Sequence, residues 1–153
     1  MRSAGIADAP ALTAFERKSF TDYYADHRFS ENQFRYYLRR PSTIARIVIH
    51  GNSILGYVLG AHGSGRRRHT ARLLSIAVDP TARNLGIGRQ LLGAFLHEAR
   101  RRRCHFAVLE VAEPNASALR LFESEGFSKV SRLPGYYTST VDGIRMRAAL
   151  QTE

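Results

Sequence analysis

The run Val78-Asp79-Pro80-Thr81-Ala82-Arg83-Asn84-Leu85-Gly86-Ile87-Gly88-Arg89 carries the most legible chemistry in this chain. A strand ends, a short loop carries an arginine and two glycines one residue apart, and an apolar helical pattern begins at once. The first amides of a helix have no internal acceptor and sit at the positive end of its dipole, so the segment reads as a phosphate cradle. Gly86 and Gly88 remove side chains that would hold a diphosphate off the backbone. Arg83 and Arg89 flank the turn with fork donors suited to phosphate. A tight strand-to-helix connection would use the same residues, so the glycine pair by itself decides little. Two commoner phosphate patterns are absent: there is no GxxxxGK[ST], and a dinucleotide fingerprint would need glycine where Leu91 stands.

The remaining reactive residue types are sparse. His50, His62, His97 and His105 show no metal-ligand spacing, and no metal site is expected. A single cysteine, Cys104, excludes an internal disulfide framework and a CxxC metal site; it reads as a small buried hydrophobe in a reducing, cytoplasmic compartment. Arg66-Arg67-Arg68-His69 and Arg100-Arg101-Arg102-Arg103 form two basic clusters that read as solvated charge or as contacts for an anion.

These residues must be held by one domain, residues 1–153, because 153 residues with 44% hydrophobic and 24% charged side chains match a single globular unit. The formal net charge is +10, and all but Lys18 and Lys129 of the 23 cations are arginine. Such a surface attracts anions: nucleic acid, an acidic membrane, an acidic protein or a phosphorylated small molecule. No apolar run reaches the ~18 residues of a membrane span and no secretory signal opens the chain, so no membrane partner is expected.

Asp8 and Pro10 predict a helix start, with Leu12, Phe15 and Phe20 on its apolar face. Ser30 with Gln33 predicts a capping box for a second helix that Pro41 stops. Strands are predicted over Thr43–His50 and Ile54–Ala61, joined at Gly51-Asn52, and over Thr70–Val78. A helix over 86–101 follows, then a strand over Phe106–Val111, a helix capped by Asn115 and closed by Gly126, and strands near 128–133 and 144–150. Helices alternate with strands only in the middle, which fits a mixed sheet with helices on both faces.

In this order the chain resembles the GNAT superfamily of acyl-CoA-dependent N-acyltransferases. Its [RQ]-x-x-G-x-[GA] signature is met by Arg83-Asn84-Leu85-Gly86-Ile87-Gly88. Leu109-Glu110-Val111, Asn115 to Leu119, Leu121 to Phe127 and Tyr136-Tyr137 resemble successive blocks of the ribosomal-protein-alanine N-acetyltransferase, or RimI-like, branch. The resemblance implies an α/β GNAT fold: a mostly antiparallel mixed sheet splayed at its two central parallel strands. It also implies that the CoA diphosphate rests on the Arg83–Arg89 turn, with Asn84, Leu85, Gly86, Ile87 and Gly88 around it. The pantetheine arm would run along Ile76, Ala77 and Val78, whose amides face the thioester oxygen. Asn115 is implied as a further polar contact to the cofactor, and Phe122 as a wall of its site.

Transfer to an amine needs a base, a polarised carbonyl and a proton for the leaving thiolate. Glu110, mid-strand and directed opposite to Leu109 and Val111, matches the family's base position; pairing with one of the many arginines is the competing role. The acid is missing, because Phe122 stands where many relatives have Tyr. Tyr136 and Tyr137 are the substitutes named by motif, with departure of an unassisted thiolate as the alternative. The expected activity is direct acetyl transfer from acetyl-CoA to a primary amine, first of all the α-amine of a protein or peptide. The alternatives are a small-molecule or lysine N-acyltransferase and a catalytically weak acyl-CoA-binding module. The basic clusters would meet ribosomal RNA, an acidic peptide or the CoA 3′-phosphate, nucleic acid entering only through ribosome association, and the chain would be a monomer or homodimer.

Overall fold

Local signals nucleate most elements. Ser30 and Gln33 form the reciprocal capping box, with the Gln33 amide donating to Ser30 Oγ at 3.2 Å and the Ser30 amide donating to Gln33 Oε1 at 2.8 Å. Asp8 departs from its expected role: its carboxylate accepts from the Gly5 amide and pairs with Arg2, tightening the turn before the first helix instead of capping it.

The computed structural model describes residues 1–151. The elements run β1 (Arg2–Ser3), α1 (Ala9–Ser19), α2 (Glu31–Leu38), β2 (Thr43–His50), β3 (Ser53–His62), β4 (Thr70–Val78), α3 (Ile87–Arg101), β5 (Phe106–Ala112), α4 (Ala116–Ser124), β6 (Ser128–Thr138) and β7 (Val141–Ala149). They build one seven-stranded sheet in the order β1-β2-β3-β4-β5-β7-β6, in which only β4 and β5 are parallel. This is the mixed α/β architecture anticipated above. β1 was not anticipated; it adds two residues to the edge by pairing with Arg46 and Ile47. The last hairpin is longer than predicted, so Tyr136 and Tyr137 lie within a strand and not in a connection.

Each face of the sheet buries its own core. Leu12 and Phe15 of α1 and Phe34 of α2 pack on Ile47, Tyr57 and Leu59. On the other face Leu91, Leu92, Phe95 and Leu96 of α3 and Phe122 of α4 pack on Ile44, Val58, Leu109 and Met146. The apolar stripe of α3 thus buries against the sheet, which aims the helix N-terminus at the end of β4. Between α1 and α2 the chain forms a 3-10 segment, Asp22–His27, which the sequence pattern did not reveal.

Candidate active site

The site opens where two paired strands part. β4 and β5 are bonded only from Thr70↔Phe106 to Arg72↔Val108. Directly after this, the β3–β4 register steps from Gly60↔Leu73 to Leu59↔Ser75, which leaves Leu74 as an extra residue in β4. A bulge bends its strand and raises the local twist, so β4 turns away while β5 stays bonded to β7 as far as Ala112. Gly60 permits the bend: a Cβ there would lie 2.2 Å from the Phe95 ring and 2.7 Å from the Arg72 carbonyl oxygen.

On the α3 side of the opening lies a groove of about 600 Å³ lined by Ile76, Ala77, Val78, Arg83, Asn84, Gly86, Ile87, Gly88 and Arg89. The first intrahelical bond of α3 is Gln90 N–H to Gly86 C=O, so the amides of Ile87, Gly88 and Arg89 precede the ladder. Gly86 takes φ +79°, a left-handed conformation that glycine adopts without cost. A Cβ on Gly88 would reach only to 3.4 Å from Leu121, so packing tolerates one and the bare backbone serves the groove. This cradle fits a diphosphate. Leu85 is the exception among the motif residues, with its side chain 68% exposed and outside the groove lining.

Across the opening lies a second cavity of about 260 Å³ lined by Glu16, Tyr24, His27, Glu110, Tyr136 and Tyr137 among others. Glu110 faces it, and its carboxylate is gripped by Arg72 Nη1 at 2.7 Å and Arg145 Nε at 3.3 Å. Glu110 therefore lines the cleft and is at the same time paired with two arginines, the competing role named above. Tyr136, Tyr137, His27 and Tyr24 pack edge to face or stacked, with ring centroids 4.9–5.7 Å apart. Burial pushes the Tyr137 phenol far above its ordinary value, reinforced by the neighbouring tyrosines and Glu110.

Glu16 was not singled out by sequence reasoning. It is 1% exposed, accepts from the Ser75 hydroxyl at 2.8 Å, and also takes the Tyr57 hydroxyl and the Phe29 amide. Desolvation raises its carboxyl above the usual range, against the pull of these hydrogen bonds. It ties α1, β3 and the bulged part of β4 together beneath the cavity.

A family model described as Acetyltransferase (GNAT) family matches residues 9–127. The chain belongs to the GNAT acetyltransferase family. The ribosomal protein bS18-alanine N-acetyltransferase of Escherichia coli K12 is 31% identical over 138 residues, which cover 90% of this chain and 86% of that one. Human N-alpha-acetyltransferase 30 is 30% identical over 126 residues, 80% of this chain and 34% of that longer protein. The crystal structure of the E. coli ribosomal-protein-S18-alanine N-acetyltransferase superposes with a TM-score of 0.84 at 25% identity, covering 99% and 93% of the two chains. The yncA protein of Salmonella typhimurium, solved with its cofactor acetyl-CoA, shares the fold at a TM-score of 0.81 and 22% identity.

In this GNAT enzyme the two cavities meet at Phe20, Tyr24, Ile76, Asn115, Ala118 and Phe122. Asn115 caps α4 through Oδ1, which accepts from the Ala118 amide at 3.3 Å, and its Nδ2 donates to the Tyr24 hydroxyl at 2.9 Å. The Ala112 amide, freed where β5 leaves β4, donates to the same hydroxyl at 3.1 Å. Tyr24 was missed because the 3-10 segment that carries it has no periodicity; the dense aromatic spacing from Phe20 to Phe29 was the one available hint.

The two basic clusters fall together elsewhere. The His105 amide donates to the His69 carbonyl at 2.6 Å, and the two imidazoles stack at 4.4 Å, which joins Arg66–Arg68 to Arg100–Arg103 at the paired end of β4. That end is a full strand length from the Arg83–Arg89 turn, about 30 Å at ~3.3 Å per residue. The clusters are therefore on the opposite pole from the cradle, which removes the CoA 3′-phosphate from their candidate partners. Cys104 is fully buried between them, as its type suggested.

Proposed function

We propose that the protein transfers an acetyl group from acetyl-CoA directly to the α-amine of a protein or peptide N-terminus. One observation carries the reading: a phosphate cradle and an aromatic cavity with a carboxylate meet at a strand opening whose β4 edge is unbonded from Leu73 to Val78. The Arg83–Arg89 turn would take the diphosphate, and the open edge of Ile76–Val78 would pair with the amide-bearing arm and hold the thioester oxygen. The names of the relatives, an alanine N-acetyltransferase of ribosomal protein bS18 in E. coli and an N-alpha-acetyltransferase in human, support the acceptor class.

Because Arg72 and Arg145 occupy the Glu110 carboxylate, Glu110 acts on the ammonium through a bound water, holding that water at the cleft while the amine proton leaves. Tyr136 and Tyr137 line the acceptor cavity but not the cofactor groove, so their role lies with the acceptor.

Isothermal calorimetry with acetyl-CoA, followed by a turnover screen of N-terminal peptides, lysine peptides, polyamines and amino sugars, tests this reading. Binding with turnover on α-amine peptides is expected. No binding up to about 1 mM, the upper range of ordinary KM values, would overturn the cofactor assignment. Preference for polyamines or sugars would overturn the acceptor.

A further inference from the structure

This family member has Phe122 where a tyrosine would supply the leaving-group proton, and Phe122 is 4% exposed at the junction of the two cavities. The C–S bond must break at that junction, since the cofactor lies in one cavity and the amine in the other. Only one hydroxyl or other protonated oxygen lies among the six residues common to both: that of Tyr24.

The hydrogen bonds around Tyr24 orient its proton. Its oxygen accepts from the Ala112 amide at 3.1 Å and from Asn115 Nδ2 at 2.9 Å. The Asn115 assignment is fixed by the other end of the side chain, where Oδ1 must accept from the Ala118 amide. With both acceptor positions filled, the phenol can act only as a donor, and among the described residues no protein acceptor takes its proton. The edge contacts of its ring with Phe20, Tyr23 and Tyr137, at centroid distances of 5.5, 4.7 and 5.1 Å, hold it in place.

We infer that Tyr24 is the general acid of this enzyme, standing in from the α1–α2 connection for the tyrosine absent from α4. The inference rests on the acetyltransferase reading above. In the step, the amine nitrogen forms the C–N bond, the tetrahedral carbon expels sulfur, and the C–S electron pair takes the Tyr24 hydroxyl proton to give the free thiol. The ammonium loses one proton through the water held by Glu110 before attack, and the nitrogen loses a second to the same water as the tetrahedral carbon collapses to the amide. Tyr24 takes one proton back from solvent, so the net release is one proton per transfer. Burial holds the Tyr24 phenol above its ordinary value. It therefore stays protonated at neutral pH, and its proton passes to sulfur as negative charge develops there.

The test follows thiol release with acetyl-CoA and the best acceptor of the peptide screen. Tyr24→Phe is expected to lower kcat about 100-fold, the lower range for losing an acid, with acetyl-CoA affinity by calorimetry within about threefold of the parent. Adding Phe122→Tyr to that variant is expected to restore at least a tenth of the lost rate, because it returns a phenol to the same junction. A role limited to packing β5 would not be rescued this way. A kcat for Tyr24→Phe within about threefold of the parent, or a loss without rescue, overturns the assignment. Site-specific fluorotyrosine at position 24 keeps the contacts and lowers the phenol pKa. The basic limb of the kcat–pH profile should then move down, and an unmoved limb also overturns it. No thiol release by the parent with any amine would instead overturn the acetyltransferase reading, and Tyr24 with it.

Discussion

The two ends of the β4–β5 pair are built from the same two strands and do opposite things. At the Thr70–Arg72 end the backbones are bonded, the flanking loops are stapled through His69 and His105, and arginines crowd the surface. At the Ser75–Val78 end the backbones part, the β4 edge is left open, and on β5 the Tyr24 hydroxyl accepts from the freed Ala112 amide. One extra residue at Leu74 separates the two regimes. A parallel pair can thus hold a domain together at one end and open a cleft at the other, provided that helices cover both faces.

The largest effect is expected at the open end. Glu110→Gln should lower kcat by about 10²–10³ while acetyl-CoA affinity is retained, measured by thiol release and calorimetry. An unchanged rate would leave the carboxylate as a partner of Arg72 and Arg145 alone.

The boundary between the ends comes next. Gly60→Val should destabilise the fold by about 2–3 kcal/mol in urea unfolding, because its Cβ meets the Phe95 ring and the Arg72 carbonyl. Tolerance of valine would break the claim that glycine permits the bend. Gly88→Ala, by contrast, should leave stability within about 0.5 kcal/mol yet weaken acetyl-CoA binding about tenfold, since the added methyl fills the cradle and not the protein.

The smallest effect belongs to the paired end. Glu98 is 7% exposed and receives Arg101 and Arg102, with Arg46 at 3.7 Å. The Arg101 hydrogen bond, followed by that of Arg102, brings its carboxyl down to about 2. A depressed carboxyl stabilises the folded state above its ordinary value and loses that contribution as pH falls toward about 2. Glu98→Gln should therefore cost about 1–2 kcal/mol at pH 7, with the gap to the parent closing below about pH 4 in urea titrations.

Much of the fold was legible because its signals are local. The alternation in β4, the capping box at Ser30 and Gln33, and the glycine pair at 86 and 88 all act through neighbours a few residues away. Glu110 was legible as a cleft residue from strand alternation, and as an ion pair only in outline, since Arg72 and Arg145 lie 38 and 35 residues away. Gly60 inside an apolar strand was the available hint of the bulge, because a glycine there weakens a strand unless backbone or side chains approach closely. Tyr24 and Glu16 left no comparable mark: their partners lie 88 and 59 residues away at Ala112 and Ser75.

What the sequence determined by itself is the placement of the main helices and strands and the bare backbone of the Gly86–Gly88 turn, since helix starts, turns and backbone-exposing glycines are properties of short stretches. Tertiary structure alone decided where β4 and β5 part, which tyrosine stands at the junction, and that two arginine clusters distant along the chain share one pole. Those outcomes depend on register and on side chains from separate elements competing for the same space, and neither is encoded within any one segment.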